Sequence, residues 1–148
     1  MDRFTISNLE LINSKFPGGK SVLDIIDKTM TPMGSRLLRR WLCFPSIDLN
    51  EIQFRYDIVE ELVKLSSTNL VEKYNSIIDI ERVVSKITNY KVNPRELVSF
   101  KLSLLKVDEI KKELNSASKN LKLLSKKFKD SNKVVQLIEK NLFEESFD

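Results

Sequence analysis

Arginines are the residues of this sequence whose chemistry best fits a phosphate group, because a planar guanidinium can donate two parallel hydrogen bonds to phosphate oxygens. Four of them are candidates for such contacts: Arg36, Arg39, Arg40 and Arg82. The same geometry fits a carboxylate, so the alternative is a set of ion pairs between helices. No glycine-rich loop or stacking aromatic residue accompanies the arginines, which favours ion pairs over weak phosphate contacts.

The acidic partners of these arginines are predicted from charge spacing. Asp79 and Glu81 are candidates for the three arginines of the earlier stretch. Arg82 and Lys86 are four residues apart, where like charges on one helix face repel each other, so each is expected to have an acidic partner on another helix. For Arg82 we predict the acids Asp24 and Asp27 as partners.

Three further features of the sequence could indicate ligand binding or catalysis, and we predict neither for any of them. The run Gly18-Gly19-Lys20-Ser21 resembles the end of a phosphate-binding loop, but no apolar strand precedes it and Ser14 stands where the first glycine belongs. Adjacent carboxylates at Glu60-Glu61 diverge by about 100° on a helix, which favours solvated charges over a shared ligand. The sequence has no His and a single Cys, Cys43, beside an apolar stripe, where a buried inert thiol is expected. We therefore predict no catalytic, cofactor-binding or metal-ligating residue, and no enzyme activity in this segment.

A helix from Thr31 to Phe44 must position the first three arginines. Thr31 can cap its first turn, Pro32 suits the first helical position, and Pro45 ends it. Apolar residues at three- and four-residue spacing give this helix a stripe that we interpret as a packing hub. The hub residues are Leu37, Leu38, Trp41 and Leu42. If Trp41 is buried, its replacement by Ala should cost about 3 to 5 kcal/mol.

Composition predicts an all-α fold. With three Gly and four Pro among 148 residues, few turns are possible. Helix starts can be read from capping residues, most clearly at Asn93-Pro94-Arg95-Glu96. The other predicted caps are Asp2 or Thr5, Ser21, Thr31, Asp48 and Asp79. We expect an irregular bundle of roughly seven to nine short and medium helices in one domain, residues 1–148.

The net charge of +4 permits but does not demand contact with nucleic acid. Lysines accumulate late in the chain, where a solvated helix face is favoured because no aromatic residues are interleaved for base stacking. These lysines are Lys101, Lys106, Lys111, Lys112, Lys119, Lys122, Lys126, Lys127, Lys129 and Lys133. No stretch approaches the about 20 apolar residues of a membrane helix, and no export signal opens the chain, so no membrane partner and a cytoplasmic location are expected.

Several motifs in chain order resemble the start of the core domain of the MutS family, domain III. They are Asp2-Arg3-Phe4-Thr5-Ile6-Ser7-Asn8-Leu9-Glu10-Leu11, the run from Ser21 to Pro45, Arg55-Tyr56-Asp57-Ile58-Val59-Glu60-Glu61-Leu62, Asp79-Ile80-Glu81-Arg82 and Asn93-Pro94-Arg95-Glu96-Leu97. The sequence has neither the Gly-x-x-x-x-Gly-Lys-Ser/Thr motif of the family's ATPase nor the Phe-x-Glu stretch of its mismatch-reading domain. The resemblance therefore implies the first part of the core domain, ending before the clamp insertion.

The resemblance implies a structural core, or lever, that links the DNA clamp to the ATPase of a DNA mismatch repair protein. Its partners would be the connector, clamp and ATPase domains of the full-length protein. Mismatched duplex DNA, ATP and Mg would bind to that full-length protein, a homodimer, and no cofactor to this segment. The alternative is a free-standing basic helical module that binds nucleic acid non-specifically through its lysine-rich later helices.

Overall fold

The computed structural model describes residues 1–65 and 68–142, and all regular structure in these ranges is α-helical. This confirms the predicted all-α fold. No helix in the described ranges is long and apolar enough to cross a membrane. The helices are α1 (Arg3–Asn8), α2 (Val22–Ile26), α3 (Pro32–Cys43), α4 (Leu49–Leu65), α5 (Thr68–Asn75), α6 (Ile80–Thr88), α7 (Pro94–Ser116), α8 (Lys119–Ser125) and α9 (Asn132–Asn141).

The chain divides into two compact units, Met1–Gln53 and Phe54–Asp148. The expectation of a single domain over residues 1–148 stays a prediction. The sequence predicts a loop at Ser66-Ser67-Thr68-Asn69 and a last apolar stripe that ends at Phe143. Of these residues, Ser66, Ser67 and Phe143 lie outside the described ranges.

Capping side chains begin the helices of the first unit, as predicted. The Asp2 carboxylate accepts a hydrogen bond from the Thr5 backbone N–H at 2.8 Å, and α1 follows. Ser21 and Asp24 form a reciprocal capping box at α2. Thr31 Oγ1 accepts from the Gly34 N–H at 3.1 Å at the start of α3. These starts are local, because each cap satisfies an amide that has no partner within its own helix.

A sharp turn joins α1 to α2. Glu10 adopts the left-handed conformation, with φ of 48°, which residues other than glycine rarely adopt. The carbonyls of Glu10 and Leu11 then accept hydrogen bonds from the N–H groups of Val22 and Leu23 at 2.9 and 3.0 Å. Leu11 is buried at this junction. The turn therefore brings the segment after α1 back against the start of α2.

The burial predicted for α2 is wrong in part. The apolar residues after Ser21 predict a helix from Val22 to Lys28 that buries Val22, Leu23, Ile25 and Ile26. Val22 and Leu23 are half-buried, but Ile25 and Ile26 are exposed, and the helix ends at Ile26. A helix of five residues has too few turns to present all its apolar side chains to one surface.

In the second unit, α7 is the central helix, and α5, α6, α8 and α9 all contact it. One buried cluster joins Val83 of α6, Phe100 of α7 and Ile138 of α9. A second group, Ile110 and Leu114 of α7 with Leu121 of α8, is almost fully buried. The sequence alone leaves open whether Asp108 caps a second helix in this region. The structure shows one helix, because α7 continues through residue 108 without interruption.

The inward stripe that the sequence predicts for α4 is found only in part. Its members were Ile52, Tyr56, Val59, Leu62 and Val63 or Leu65. Ile52, Leu62 and Leu65 are half-buried, whereas Tyr56 and Val59 are exposed. Phe54, Ile58 and Glu61 are also half-buried, and Glu61 makes a tertiary contact, described below, that sequence periodicity does not contain. Thr68 and Asn69, predicted in a loop, belong to α5.

Candidate functional site

The predicted packing hub on α3 is only half covered within this chain. Leu38 and Leu42 are half-buried, whereas Leu37 and Trp41 are 45% and 40% exposed. A unit of about 50 residues is too small to cover every apolar face it carries. The hub therefore stays a prediction, and a complete hub would need a covering surface from outside the first unit.

One of the predicted arginines, Arg39, lines a pocket between α1 and α3, called here the α1–α3 pocket. Its volume is about 360 Å³. Arg39 and Cys43 are four residues apart on one face of α3, and Arg3 and Ser7 have the same spacing on α1. The pocket is lined by Arg3, Ile6, Ser7, Ile12, Asn13, Arg39 and Cys43. Cys43 is buried, which confirms the burial predicted for its thiol, whereas the inertness of the thiol stays a prediction.

The other two arginines of α3, Arg36 and Arg40, are exposed and do not line this pocket. Their predicted ion pairs with Asp79 or Glu81, and their phosphate contacts, stay predictions. Sequence reasoning missed Arg3 and Asn13 as neighbours of Arg39. Their proximity depends on the left-handed turn at Glu10. Such a turn is usually indicated by a glycine, and the sequence has glutamate there.

Asp24 and Asp27 take their partners locally. Asp24 accepts hydrogen bonds from the Ser21 hydroxyl at 2.7 Å and from the Ser21 N–H at 2.9 Å. Asp27 accepts from the hydroxyls of Ser35 and Thr29 at 2.5 and 2.6 Å. These hydrogen bonds lower the pKa of both carboxyls. The pairing predicted between these acids and Arg82 stays a prediction.

Arg82 lines an open cleft between α6 and the start of α7, together with Lys86 and Glu96. Lys86 forms a salt bridge with Glu96, which confirms the acidic partner predicted for Lys86 on another helix. The hydrogen bond from Lys86 is the main cause of a lowered pKa at Glu96, followed by the hydrogen bond from the Asn93 N–H. The positive charge of Arg82 lowers the same pKa, so Glu96 is an acidic neighbour of Arg82 within this unit.

Glu61 caps a helix that lies far from it in sequence, and sequence reasoning missed this role. Its carboxylate accepts hydrogen bonds from the Ser118 hydroxyl, the Leu121 N–H at 2.9 Å and the Asn120 side-chain amide at 3.0 Å. Ser118 itself makes no side-chain cap to α8. The prediction that Glu61 is a solvated charge is therefore wrong, whereas Glu60 is exposed and pairs with Lys64 at 2.6 Å. The pKa of Glu61 is lowered, mainly by the Ser118 hydrogen bond.

The late lysines do not form one solvated face. Lys101 is buried, with Nζ 4.0 Å from a carboxylate oxygen of Glu139, which contradicts its predicted exposure. Lys106 forms a salt bridge with Glu109 at 3.1 Å. Lys127 lies over the ring of Phe54, 4.9 Å from its centroid. The remaining exposed lysines include Lys112, Lys119, Lys122, Lys126, Lys129 and Lys133.

The run from Gly18 to Ser21 does not fit a nucleotide phosphate. The Ser21 N–H and hydroxyl are both committed to Asp24, and the helix that follows has five residues. Within residues 1–65 and 68–142, no group of three or more His, Cys, Asp or Glu side chains is placed to hold a metal ion. The absence of a cofactor from this segment stays a prediction.

Comparison with known proteins identifies one family. The family model described as MutS domain III matches residues 4–148. The chain is 44% identical over 125 residues to the DNA mismatch repair protein MutS of Cytophaga hutchinsonii, covering 83% of this chain and 15% of the relative. The MutS proteins of Flavobacterium johnsoniae and Caldanaerobacter subterraneus subsp. tengcongensis are 47% and 40% identical over 75% and 96% of this chain, and 13% and 17% of their own lengths. The chain therefore spans about a sixth of the length of the curated relatives that it matches.

Proposed function

The chain belongs to the MutS family and carries its domain III, and from this premise we propose that it is a structural lever between the DNA clamp and the ATPase of a longer mismatch repair protein. Mismatched duplex DNA, ATP and Mg then bind to that longer protein. Its connector, clamp and ATPase domains are the partners of this segment. Homodimerisation and a cytoplasmic location belong to the same proposal.

The observation that carries the proposal is the arrangement around α7. This helix has 23 residues, which corresponds to about 34 Å at 1.5 Å per residue. Four other helices contact it, so bending it would disturb the packing of the unit. A long helix that is packed on several sides can transmit a displacement between two distant sites. Such coupling requires that both sites bias the equilibrium between the same two positions of the helix.

The exposed apolar face of α3 is a second, independent observation that supports the proposal. Leu37 and Trp41 are large apolar side chains that a free-standing domain would normally bury. We propose that this face packs against the remainder of the longer protein, which completes the packing hub.

The proposal is testable in a chimera in which this chain replaces the matching segment of the Cytophaga hutchinsonii relative. Leu102 lies in the middle of α7 and is 52% exposed, so its side chain contributes little packing. Leu102→Pro removes a helical hydrogen bond and breaks α7, whereas Leu102→Ala keeps the helix and is the matched control. The measured quantity is the ATPase rate with mismatched duplex divided by the rate without DNA.

We expect Leu102→Pro to bring this ratio toward one while the basal ATPase rate and the DNA affinity persist, and Leu102→Ala to leave it unchanged. Leu102→Gly weakens the helix by only about 1 kcal/mol. It replaces Leu102→Pro as the test variant if the proline variant does not fold. A ratio that is unchanged in both weakened variants would contradict the lever.

Non-specific binding of nucleic acid is the second candidate function. The exposed lysines of α8 and α9, with Lys119, Lys122 and Lys133 among them, favour it. Binding through phosphates releases counterions and weakens steeply with salt. This second function would be supported if the chain binds single strands and duplexes with similar affinity, if replacing the lysines weakens the binding, and if the binding is lost between low and physiological salt.

A further inference from the structure

We propose that the α1–α3 pocket of the first unit binds a phosphate group. This inference goes beyond the lever function and does not depend on it. It rests on the four polar side chains that line the pocket: Arg3, Ser7, Asn13 and Arg39. All four carry hydrogen-bond donors, and none of them is an acid.

These donors lack acceptors within the described part of the chain. Neither Arg3 nor Arg39 forms an ion pair there, and the side chains of Ser7 and Asn13 form no hydrogen bond there. The acids nearest in sequence are committed elsewhere. Asp2 accepts from the N–H and the hydroxyl of Thr5 at 2.8 and 2.9 Å.

Glu10, the residue with a positive φ at the turn after α1, is also engaged in a hydrogen bond. It accepts a hydrogen bond from the Ser14 hydroxyl at 3.1 Å. No carboxylate lines the pocket to balance the two guanidinium groups. Two like charges around one pocket repel each other unless an anion lies between them.

The composition of the pocket fits a phosphate better than a carboxylate. Four side chains on two helices and a loop supply the donors, and a phosphate offers more free oxygens than the two of a carboxylate. A phosphate can also carry two negative charges, which match two guanidinium groups. Ile6, Ile12 and the buried Cys43 supply apolar walls, whereas the four donor side chains are exposed to solvent.

The volume leaves room for more than the phosphate itself. About 360 Å³ falls within the range of pockets for small organic ligands. A free phosphate compound has the charge and the oxygens that match these donors most fully. A phosphodiester of the DNA backbone, with one negative charge and two free oxygens, can contact the same donors, so the two sources have to be distinguished by experiment.

Cys43 provides a native reporter, because it lines the pocket and is the single cysteine of the sequence. The rate of its alkylation by N-ethylmaleimide is measured by mass spectrometry while inorganic phosphate is added at constant ionic strength. We expect saturable protection, since an anion bound in the pocket blocks the access of the reagent to the sulfur atom. Acetate, as a carboxylate probe at equal concentration, should protect far less.

Arg39→Gln is the test variant and Arg40→Gln the matched control. Both remove one positive charge from an exposed position of α3, but only Arg39 lines the pocket. We expect Arg39→Gln to raise the phosphate concentration for half-protection by about tenfold or more, from the loss of charge-assisted hydrogen bonds, while Arg40→Gln behaves like the unchanged chain. Equal melting temperatures of the two variants exclude unfolding as the cause.

A short duplex in place of inorganic phosphate identifies the source. Protection at lower concentration by the duplex, again lost in Arg39→Gln, points to the DNA backbone, and protection by phosphate alone points to a free phosphate compound. The proposal is overturned if phosphate gives no saturable protection, if acetate protects equally, or if Arg39→Gln and Arg40→Gln respond alike.

Discussion

At the scale of single residues, carboxylates in this chain serve as acceptors for hydroxyls and backbone amides. Asp27 accepts from Thr29 and Ser35, and Glu61 accepts from the start of α8. Each of these hydrogen bonds favours the charged carboxylate and lowers its pKa. The lowered pKa values link the stability of both units to pH.

Glu61→Gln should destabilise the chain at pH 7, because an amide is a weaker acceptor for the Ser118 hydroxyl and the Leu121 N–H. The folded pKa of Glu61 lies below its ordinary value of 4.5, so its stabilising effect is fully present above pH 4.5 and is lost as pH falls through the folded pKa. Urea unfolding from pH 7 to pH 3 should show the difference between the two proteins shrinking below pH 4.5.

Glu60→Gln is the matched control for this prediction. Glu60 is adjacent in sequence, and its exposed pair with Lys64 should contribute almost nothing to stability. The capping role of Glu61 would be refuted if both variants unfold at the same urea concentration at pH 7.

At the scale of elements, helix starts were predictable from sequence, and buried faces were predictable only in part. Val83, Phe100 and Ile138 lie on apolar stripes with helical spacing and are buried, whereas Tyr56 and Val59 lie on such a stripe and are exposed. The caps at Asp2, Ser21, Thr31, Asp79 and Asn93 are found as predicted, because a cap and the amide it satisfies are only three residues apart. The buried face of α4 and the burial of a late lysine depend on residues dozens of positions away. Hydrophobic periodicity carries no information about such partners.

Ser103 of α7 is an example of a buried tertiary contact. Its hydroxyl accepts a hydrogen bond from the Ile78 N–H at 3.1 Å and donates to the Ser99 carbonyl at 3.0 Å. Ser103→Ala leaves the Ile78 N–H without this acceptor and should lower the free energy of unfolding by about 1 to 3 kcal/mol. Chemical denaturation measures the change.

Ser116→Ala is the control for Ser103→Ala, because the exposed Ser116 hydroxyl also donates to a carbonyl of α7, that of Glu113, at 2.9 Å. Its effect should be within about 0.5 kcal/mol, as for most surface substitutions. Equal effects of the two substitutions would show that the contact between Ser103 and Ile78 does not hold the segment before α6 on α7.

At the scale of the whole molecule, the first unit has few buried apolar residues and many exposed ones. Leu11 and Cys43 are buried there, whereas Phe4, Phe16 and Phe44 are exposed. The candidate site could be anticipated from sequence only in part. Arg39 was a candidate for a weak phosphate contact, although ion pairs were favoured for it. Arg3 and Asn13 reach the same pocket through the backbone turn at residue 10, where the sequence has no glycine to indicate a turn.

Trp41→Ala should cost less in this chain than the about 3 to 5 kcal/mol of a buried tryptophan, since Trp41 is 40% exposed. About 2 kcal/mol is expected from the area that it does bury. In the chimera the cost should rise, because the proposed covering surface buries the remainder of the ring. Urea unfolding of both proteins, with Val63→Ala as an exposed control, makes the comparison. A cost that does not rise in the chimera would contradict a hub completed by the longer protein.

We propose that this segment supports recognition of mismatches without performing it. Fluorescence anisotropy of this chain with labelled matched and mismatched duplexes, at two salt concentrations, is the test of this proposal. We expect no binding, or weak binding that added salt abolishes equally for both duplexes, because phosphate contacts carry no information about base pairing. A preference for the mismatched duplex that survives added salt would contradict it and would assign mismatch recognition to this segment.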